Sequence, residues 1–209
     1  EKLSRMGIPT APEDYLPSVD AAIDHLRRFH AGKKCYVFGT RAFYGQLQTA
    51  GIPVTDRPED DVDILLCGFD RELTFRKLED ACILLNRGVT WLATNPDWVC
   101  PTWYGSVPDC GSVCRMLTTA TGREPLFLGK PQPAMAELAL RRTGFSPEQA
   151  VIIGDRLYTD VACGINAGID SIFVLSGEGT EADIAQYGIH PTWIFSDIAA
   201  LYRQLEETL

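Results

Sequence analysis

The sequence predicts an α/β protein with a largely parallel sheet, and two observations lead to this prediction. Short runs of β-branched and other apolar residues alternate with segments of helical periodicity along all 209 residues. Glycine and acidic residues follow directly after such runs, as Gly154 and Asp155 follow the apolar residues 151–153. Runs of this kind are typical of strands buried in a parallel sheet, where ligands bind at the carboxyl ends. We therefore expect the functional residues to lie at those ends.

The first half of the chain alternates predicted helices with predicted strands. Residues 1–7 have the pattern of a last helical turn ended by Gly7, and from this we expect the chain to be part of a longer protein. The clearest helix begins after Thr74, because apolar residues then recur at spacings of three and four until Gly88. The other elements predicted here are helices at 18–29, capped by Ser18, and at 41–50, and strands at 35–39, 62–67 and 89–93.

A stretch rich in proline and glycine interrupts this alternation in the middle of the chain. Pro101, Gly105 and Pro108 predict an irregular loop over residues 98–110, and we expect a change of domain near it. Beyond the loop, the pattern predicts a helix at 111–121, strands at 125–128, 151–153, 171–175 and 193–195 separated by helices, and a closing helix from Asp197.

Composition and charge narrow the functional classes. Apolar residues make up 45% of the chain, enough for a packed core. The formal net charge of −9 argues against nucleic acid or an anionic membrane as a partner, although a small anionic substrate remains compatible. We see no signal peptide and no apolar run near the ~18 residues of a membrane span. Seven cysteines without a Cys-x-x-Cys pair favour free thiols in a reducing cytosol over a zinc site.

Three charged residues are the strongest candidates for chemistry. Asp155 stands at the end of an apolar run and Asp160 follows five residues later, so two carboxylates could hold a hard cation such as Mg²⁺. An acidic loop with a capping aspartate is an equally good interpretation. Lys130, between Gly129 and Pro131, would project one cation toward carboxylates and a phosphoryl group. The commoner role of such a lysine is a solvated position in a turn.

Two further clusters are candidates for substrate contact. Asn95 and Asp97 follow the strand at 89–93 and could bind polar groups, or they could merely form a turn with Pro96. Aromatic side chains in the following loop could line a pocket or pack as a small satellite core; they are Trp98, Trp103 and Tyr104. By contrast, Asp61 and Asp63 precede their apolar run, which indicates a solvated turn.

The order of these motifs is more specific than any one of them. Thr-Asn-Pro-Asp at 94–97 is followed by Gly-Lys-Pro at 129–131, by Gly-Asp-Arg-Leu-Tyr-Thr-Asp at 154–160 and by Asn-Ala-Gly at 166–168. The combination resembles the haloacid dehalogenase superfamily over essentially the whole chain. Within it, the chain is similar to the nitrophenylphosphatase-like branch, which includes nucleotide, phosphoglycolate and pyridoxal phosphate phosphatases.

The resemblance implies a fold and a set of roles. Residues 1–30 and 124–209 would form a Rossmann-like core, and residues 31–123 an inserted α/β cap through which some relatives form homodimers. Asp155 would be the ligand of an Mg²⁺ cofactor, Asp160 a second catalytic acid that supports the metal, and Lys130 the group that neutralises the phosphoryl oxygens. The residues implied to face the substrate are Asn95, Pro96, Asp97, Trp98 and Lys130.

One departure from the family pattern bears on activity. The superfamily's nucleophile lies in an Asp-x-Asp-Gly-Thr motif, and a Thr-Asn-Asn motif follows it; neither is among the 209 residues. The nearest mimic, at 70–74, falls in the cap. The implied activity is a cytoplasmic, Mg²⁺-dependent phosphomonoester hydrolase for a small phosphorylated metabolite, acting through an aspartyl-phosphate. We expect the chain as it stands to hydrolyse nothing; the alternative is a catalytically dead module that binds a phosphorylated ligand or a partner.

Overall fold

Two parallel sheets and one antiparallel hairpin organise residues 2–208, which are the residues described by this computed structural model. The strands are β1 (Cys35–Phe38), β2 (Val54–Thr55), β3 (Ile64–Cys67), β4 (Thr90–Ala93), β5 (Val99–Thr102), β6 (Gly105–Pro108), β7 (Leu126–Phe127), β8 (Val151–Gly154), β9 (Asp170–Val174) and β10 (Trp193–Phe195). The α-helices are α1 (Lys2–Arg5), α2 (Ser18–Phe29), α3 (Arg41–Thr49), α4 (Phe75–Arg87), α5 (Cys110–Thr121), α6 (Ala134–Thr143), α7 (Ala162–Ala167), α8 (Glu181–Tyr187) and α9 (Ile198–Thr208). Short 3₁₀ turns lie at Pro12–Asp14 and Pro147–Gln149, and a π-helical turn at Leu157–Val161 precedes α7. The α/β class with parallel sheets is thus as predicted.

The larger sheet has the strand order β2-β1-β3-β4-β7, with all neighbours parallel. Its central strands are buried on both faces because helices cover each side. Alternate residues of β1 and β3 pack with α4 and α5 on one face, and the others pack with α2 and α3 on the opposite face. We call the elements from Ser18 to Leu128 the five-stranded part.

This packing bears on the predicted domain boundaries. Helix α2 and strand β7 both belong to the five-stranded part, although the resemblance assigns their residues to the core. The division into a core at 1–30 and 124–209 and a cap at 31–123 stays a prediction.

The smaller sheet has the order β10-β9-β8, and with helices α6 to α9 it forms what we call the three-stranded part. The sequence predicts a buried strand for β8, and this is wrong in the present structure. Val151 and Ile153 are 45% and 44% exposed. Strand β8 pairs with β9 alone within residues 2–208, so its other edge and part of one face are open to solvent.

The predicted irregular loop at 98–110 is instead an antiparallel hairpin formed by β5 and β6. Proline disfavours a central strand, but in a two-stranded ribbon both strands are edges, where Pro101 and Pro108 are tolerated. Gly105, with φ 125°, opens β6 after the turn in a conformation that favours glycine. A smaller correction concerns α2, where Pro17 precedes the helix and Ser18 is its first residue rather than its cap.

The seven cysteines are unpaired thiols, as expected, and five of them are buried. Burial raises the pKa of the Cys35 thiol to about 12, so this side chain behaves as a small apolar core residue. None of the helices within residues 2–208 is long and apolar enough to cross a membrane.

Candidate active site

Asp155 lies directly after β8, and a glycine-rich loop folds over its carboxylate. Its Oδ2 accepts a hydrogen bond from the Glu178 N–H at 3.0 Å, and its carbonyl oxygen accepts one from the Gly179 N–H at 2.9 Å. Gly177 must lack a side chain, because a Cβ there would lie 1.9 Å from Asp155 Oδ2. The other carboxylate oxygen, Oδ1, has no hydrogen-bond partner within residues 2–208.

Asp160 lies in the π-helical turn after Asp155 and binds the predicted lysine. Lys130 donates from Nζ to Asp160 Oδ1, and the Arg156 N–H donates to Asp160 Oδ2 at 3.2 Å. Asp160 itself is buried against the end of β8, where a Cβ on Gly154 would lie 2.1 Å from the Asp160 Cβ. The structure therefore brings Lys130, Asp155 and Asp160 to one strand end, with the lysine paired to Asp160.

The predicted substrate-contacting residues after β4 are engaged with other protein groups. The Asn95 amide donates to Asp97 at 2.9 Å and to Asp109 at 3.2 Å, and its oxygen accepts from the Thr94 hydroxyl at 2.9 Å. Asp97 accepts from Arg156 through its other oxygen at 2.8 Å. Every polar atom of these two side chains thus has a protein partner.

Arg156 is the site residue that the sequence did not single out. Its Nη1 contacts Asp97, and its Nε and Nη2 donate to the two oxygens of Glu178 at 2.7 and 2.6 Å. Hydrogen bonds to Glu178 raise the pKa of the guanidinium above its usual value. No local pattern signals this role, because the partners lie 59 and 22 residues away along the chain.

Comparison with known proteins shows the family to which the chain belongs. A HAD-hydrolase-like family model matches residues 127–201, the segment that carries Lys130, Asp155 and Asp160. The acid sugar phosphatase of Staphylococcus epidermidis (strain ATCC 12228 / FDA PCI 1200) is 31% identical over 207 residues, which is 99% of this chain and 79% of that protein. The chain belongs to the haloacid dehalogenase-like hydrolases.

Solved structures agree with this assignment and support the nitrophenylphosphatase-like branch. The 4-nitrophenylphosphatase of Thermotoga maritima superposes with a TM-score of 0.88 at 34% identity, covering 97% of this chain and 77% of that one. The glycerol phosphate phosphatase of Mycobacterium tuberculosis, in complex with magnesium, also gives 0.88 at 32% identity, covering 95% of this chain and 61% of that one. The predicted fold class is thereby confirmed.

The site of this haloacid dehalogenase-like hydrolase suits a magnesium ion in one respect. Mg²⁺ keeps several waters and is bound through one or two carboxylates together with substrate phosphate. The open oxygen of Asp155 meets that requirement. Asp160 differs, because Lys130 and the Arg156 N–H occupy both of its oxygens. No cluster of three or more His, Cys, Asp or Glu side chains able to hold a metal occurs within residues 2–208.

The three aromatic residues predicted to line a pocket are divided between two separate cavities. Trp103 and Tyr104, at the turn of the hairpin, stack edge to face with ring centroids 5.1 Å apart and border a groove of about 570 Å³. Trp98 instead lines a cavity of about 300 Å³ beside Pro96 and Tyr158.

The acids of the predicted solvated turn lie at the surface in ion pairs, Asp61 with Lys34 and Asp63 with Lys33.

Proposed function

We propose that this chain provides the metal-binding and phosphate-binding residues of an Mg²⁺-dependent phosphomonoester hydrolase that acts through an aspartyl-phosphate. The observation that carries the proposal is the convergence of Lys130, Asp160 and Asp155 at the carboxyl end of β8. A lysine and a metal-binding carboxylate at one strand end are the parts that phosphoryl transfer requires for charge neutralisation. The phosphatase names of its relatives support the same class of reaction.

Each side chain has a distinct task in this proposal. Asp155, held by the Glu178 N–H, would bind Mg²⁺ through its open oxygen, and the ion would supply positive charge to the phosphoryl group. The Lys130 side chain is 44% exposed, so its ammonium can reach phosphoryl oxygens while Asp160 holds it in place. The nucleophile would come from an Asp-x-Asp-Gly-Thr motif. Because the 209 residues lack that motif, we propose that they hydrolyse nothing by themselves.

The substrate we propose is a small phosphorylated metabolite with a sugar-like or aromatic leaving group. The groove beside Trp103 and Tyr104 offers ring faces on which such a group can stack. A relative named acid sugar phosphatase supports a sugar as the leaving group. We further propose a cytoplasmic protein that binds neither nucleic acid nor membrane, with a homodimer through the cap as its oligomeric form.

The test compares two forms of the protein with p-nitrophenyl phosphate. A form that carries an Asp-x-Asp-Gly-Thr segment ahead of residue 1 is expected to show Mg²⁺-dependent turnover, and the 209-residue chain is expected to show none. Asp155→Asn should abolish the activity, whereas Asp61→Asn, a matched change in a surface ion pair, should leave it intact. Turnover that survives Asp155→Asn, or activity of the 209-residue chain, would contradict the proposal.

The second candidate is a module that binds a phosphorylated ligand without hydrolysing it. The absence of the nucleophile motif from the 209 residues favours it. The same assay separates the two candidates, because a module would give no turnover in either form. It would still bind inorganic phosphate, and Lys130→Met would weaken that binding.

A further inference from the structure

Arg156 connects the two parts of the molecule through one guanidinium group. It contacts Asp97 of the five-stranded part and Glu178 of the three-stranded part, and it follows Asp155 directly in the chain. We propose that Arg156 is a positioning residue that couples the placement of the five-stranded part to the orientation of the Asp155 carboxylate. The inference rests on the proposed role of Asp155 as the metal-binding residue.

The first link runs from the end of β4 to the guanidinium. Asp97 is fixed on its own side by the Asn95 amide, and Asn95 is in turn held by Asp109 at the start of α5. Strand β4 and helix α5 both pack in the core of the five-stranded part. A movement of that part therefore moves the carboxylate that Arg156 holds.

The second link runs from the guanidinium to the metal-binding carboxylate. Glu178 accepts two hydrogen bonds from Arg156 through its side chain, and its own backbone N–H donates to Asp155 Oδ2. The next residue, Gly179, donates to the Asp155 carbonyl oxygen. Glu178 thus makes both the ion pair with Arg156 and the hydrogen bond to the Asp155 carboxylate. A shift of Arg156 therefore shifts the Glu178 N–H, the donor that orients Asp155.

The chemistry of the connection requires an arginine. A guanidinium has donors in a planar fork and can bind two carboxylates at once, whereas an ammonium acts as a point charge on a flexible stem. The Arg156 side chain is only 18% exposed, so its ion pairs are screened less than surface pairs. Within residues 2–208, the other ion pairs between the two parts join α2 to α6, are more exposed and do not contact the site; they are Asp20–Arg142 and Asp24–Arg141.

This arrangement gives Asn95 and Asp97 a role other than substrate binding. Their polar atoms are occupied by Asp109, Thr94 and Arg156, so a substrate would have to displace existing hydrogen bonds to reach them. We infer that these two residues anchor the arginine. The anchor makes the observed placement of the five-stranded part and the ordered state of the Asp155 loop favour each other.

The experiment measures amide hydrogen exchange at Glu178 and Gly179 in the 209-residue chain. Both amides donate to Asp155, so their protection reports the order of the loop. Asp97→Asn lies in the other part of the molecule and leaves the Arg156–Glu178 pair intact. We nevertheless expect it to speed exchange at both amides about tenfold, the effect of losing one charge-assisted hydrogen bond. Arg156→Lys should speed it at least as much.

The matched control is Arg142→Gln, which removes an ion pair between the same two parts at α2 and α6. It should leave exchange at Glu178 and Gly179 unchanged. Exchange that responds equally to Arg142→Gln, or that does not respond to Asp97→Asn, would overturn the inference. Full protection of both amides in Arg156→Lys would also overturn the inference, because the planar donors of the guanidinium would then be unnecessary. The readout needs neither metal nor turnover, so its failure is separate from failure of the phosphatase assay.

Discussion

At the scale of single residues, the site depends on which partner occupies each oxygen. Asp155 keeps one oxygen open, while both oxygens of Asp160 are bound, although the two residues are only five positions apart. The difference follows from backbone position, because Asp155 directly follows β8 and Asp160 lies in the turn that packs back onto that strand. Two identical side chains therefore receive different tasks, one open to a cation and one fixing a lysine.

The Lys130–Asp160 pair leads to a prediction about stability. Asp160→Asn leaves the ammonium without its anionic acceptor and buries a neutral amide in the same place. We expect it to lower the free energy of unfolding by about 1–2 kcal/mol, since the hydrogen bond it removes is charge-assisted. Urea denaturation measures the change. The control Asp61→Asn breaks a surface pair and should stay within about 0.5 kcal/mol, and equal effects of the two would contradict this account.

Residue types at the site were largely predictable from the sequence, but their connections were not. The convergence of Lys130, Asp155 and Asp160 at one strand end could be predicted, because strand ends collect functional groups in parallel sheets. Arg156 could not, because its role is defined by Asp97 and Glu178, which no local spacing relates to it. Long-range ion pairs depend on how the two sheets face each other, and that orientation is not encoded in periodicity.

At the scale of elements, one glycine at a strand end and one in a loop leave room for the two aspartates of the site. Gly154 ends β8 where Asp160 packs against it, and Gly177 lies where Asp155 needs room. Both make close contact with a carboxylate-bearing side chain rather than supplying a turn. The sequence marked Gly154 as the end of a strand, but the reason for the glycine became visible only through packing between elements.

Two glycine-to-alanine variants with opposite expected effects on stability test this interpretation. Gly154→Ala would place a Cβ 2.1 Å from the Asp160 Cβ, so the aspartate must move and carry Lys130 with it. We expect a loss of about 1–3 kcal/mol in the free energy of unfolding, as for other overpacked positions. Gly45→Ala, inside α3 with open space around it, should instead stabilise by about 0.5–1 kcal/mol. Urea denaturation of both variants measures the two changes. If Gly154→Ala leaves the free energy of unfolding unchanged, Asp160 is not held by this contact.

The helices and strands themselves were predictable to different degrees. Helix α4 was predicted nearly to the residue because its cap, its periodicity and Gly88 all agree. The hairpin was missed because two prolines and a glycine outweigh the strand signal of so short a segment. The two-residue strand β2 was missed too, since its pairing depends on β1 rather than on its own sequence.

At the scale of the whole molecule, the two parts differ in how well they cover their sheets. Helices cover both faces of the five-stranded sheet, whereas β8 of the three-stranded sheet has an open edge and exposes Val151 and Ile153. Ile153 is in register with the buried Ile172, so the exposed area continues directly from the core face. An open edge beside exposed apolar side chains is a template for pairing with another chain.

We therefore expect the 209-residue chain to self-associate through β8. Sedimentation velocity should show a concentration-dependent increase in mass, and Ile153→Lys should reduce that increase because a charge on an edge strand opposes pairing. Trp103→Ser is the matched control, since Trp103 is 95% exposed at the turn of the hairpin, which is a separate sheet from the one that contains β8. It should leave the association unchanged. If Trp103→Ser dissociates the chain while Ile153→Lys does not, association runs through the hairpin side, as in the proposed cap dimer. A chain that stays monomeric at every concentration would refute both routes.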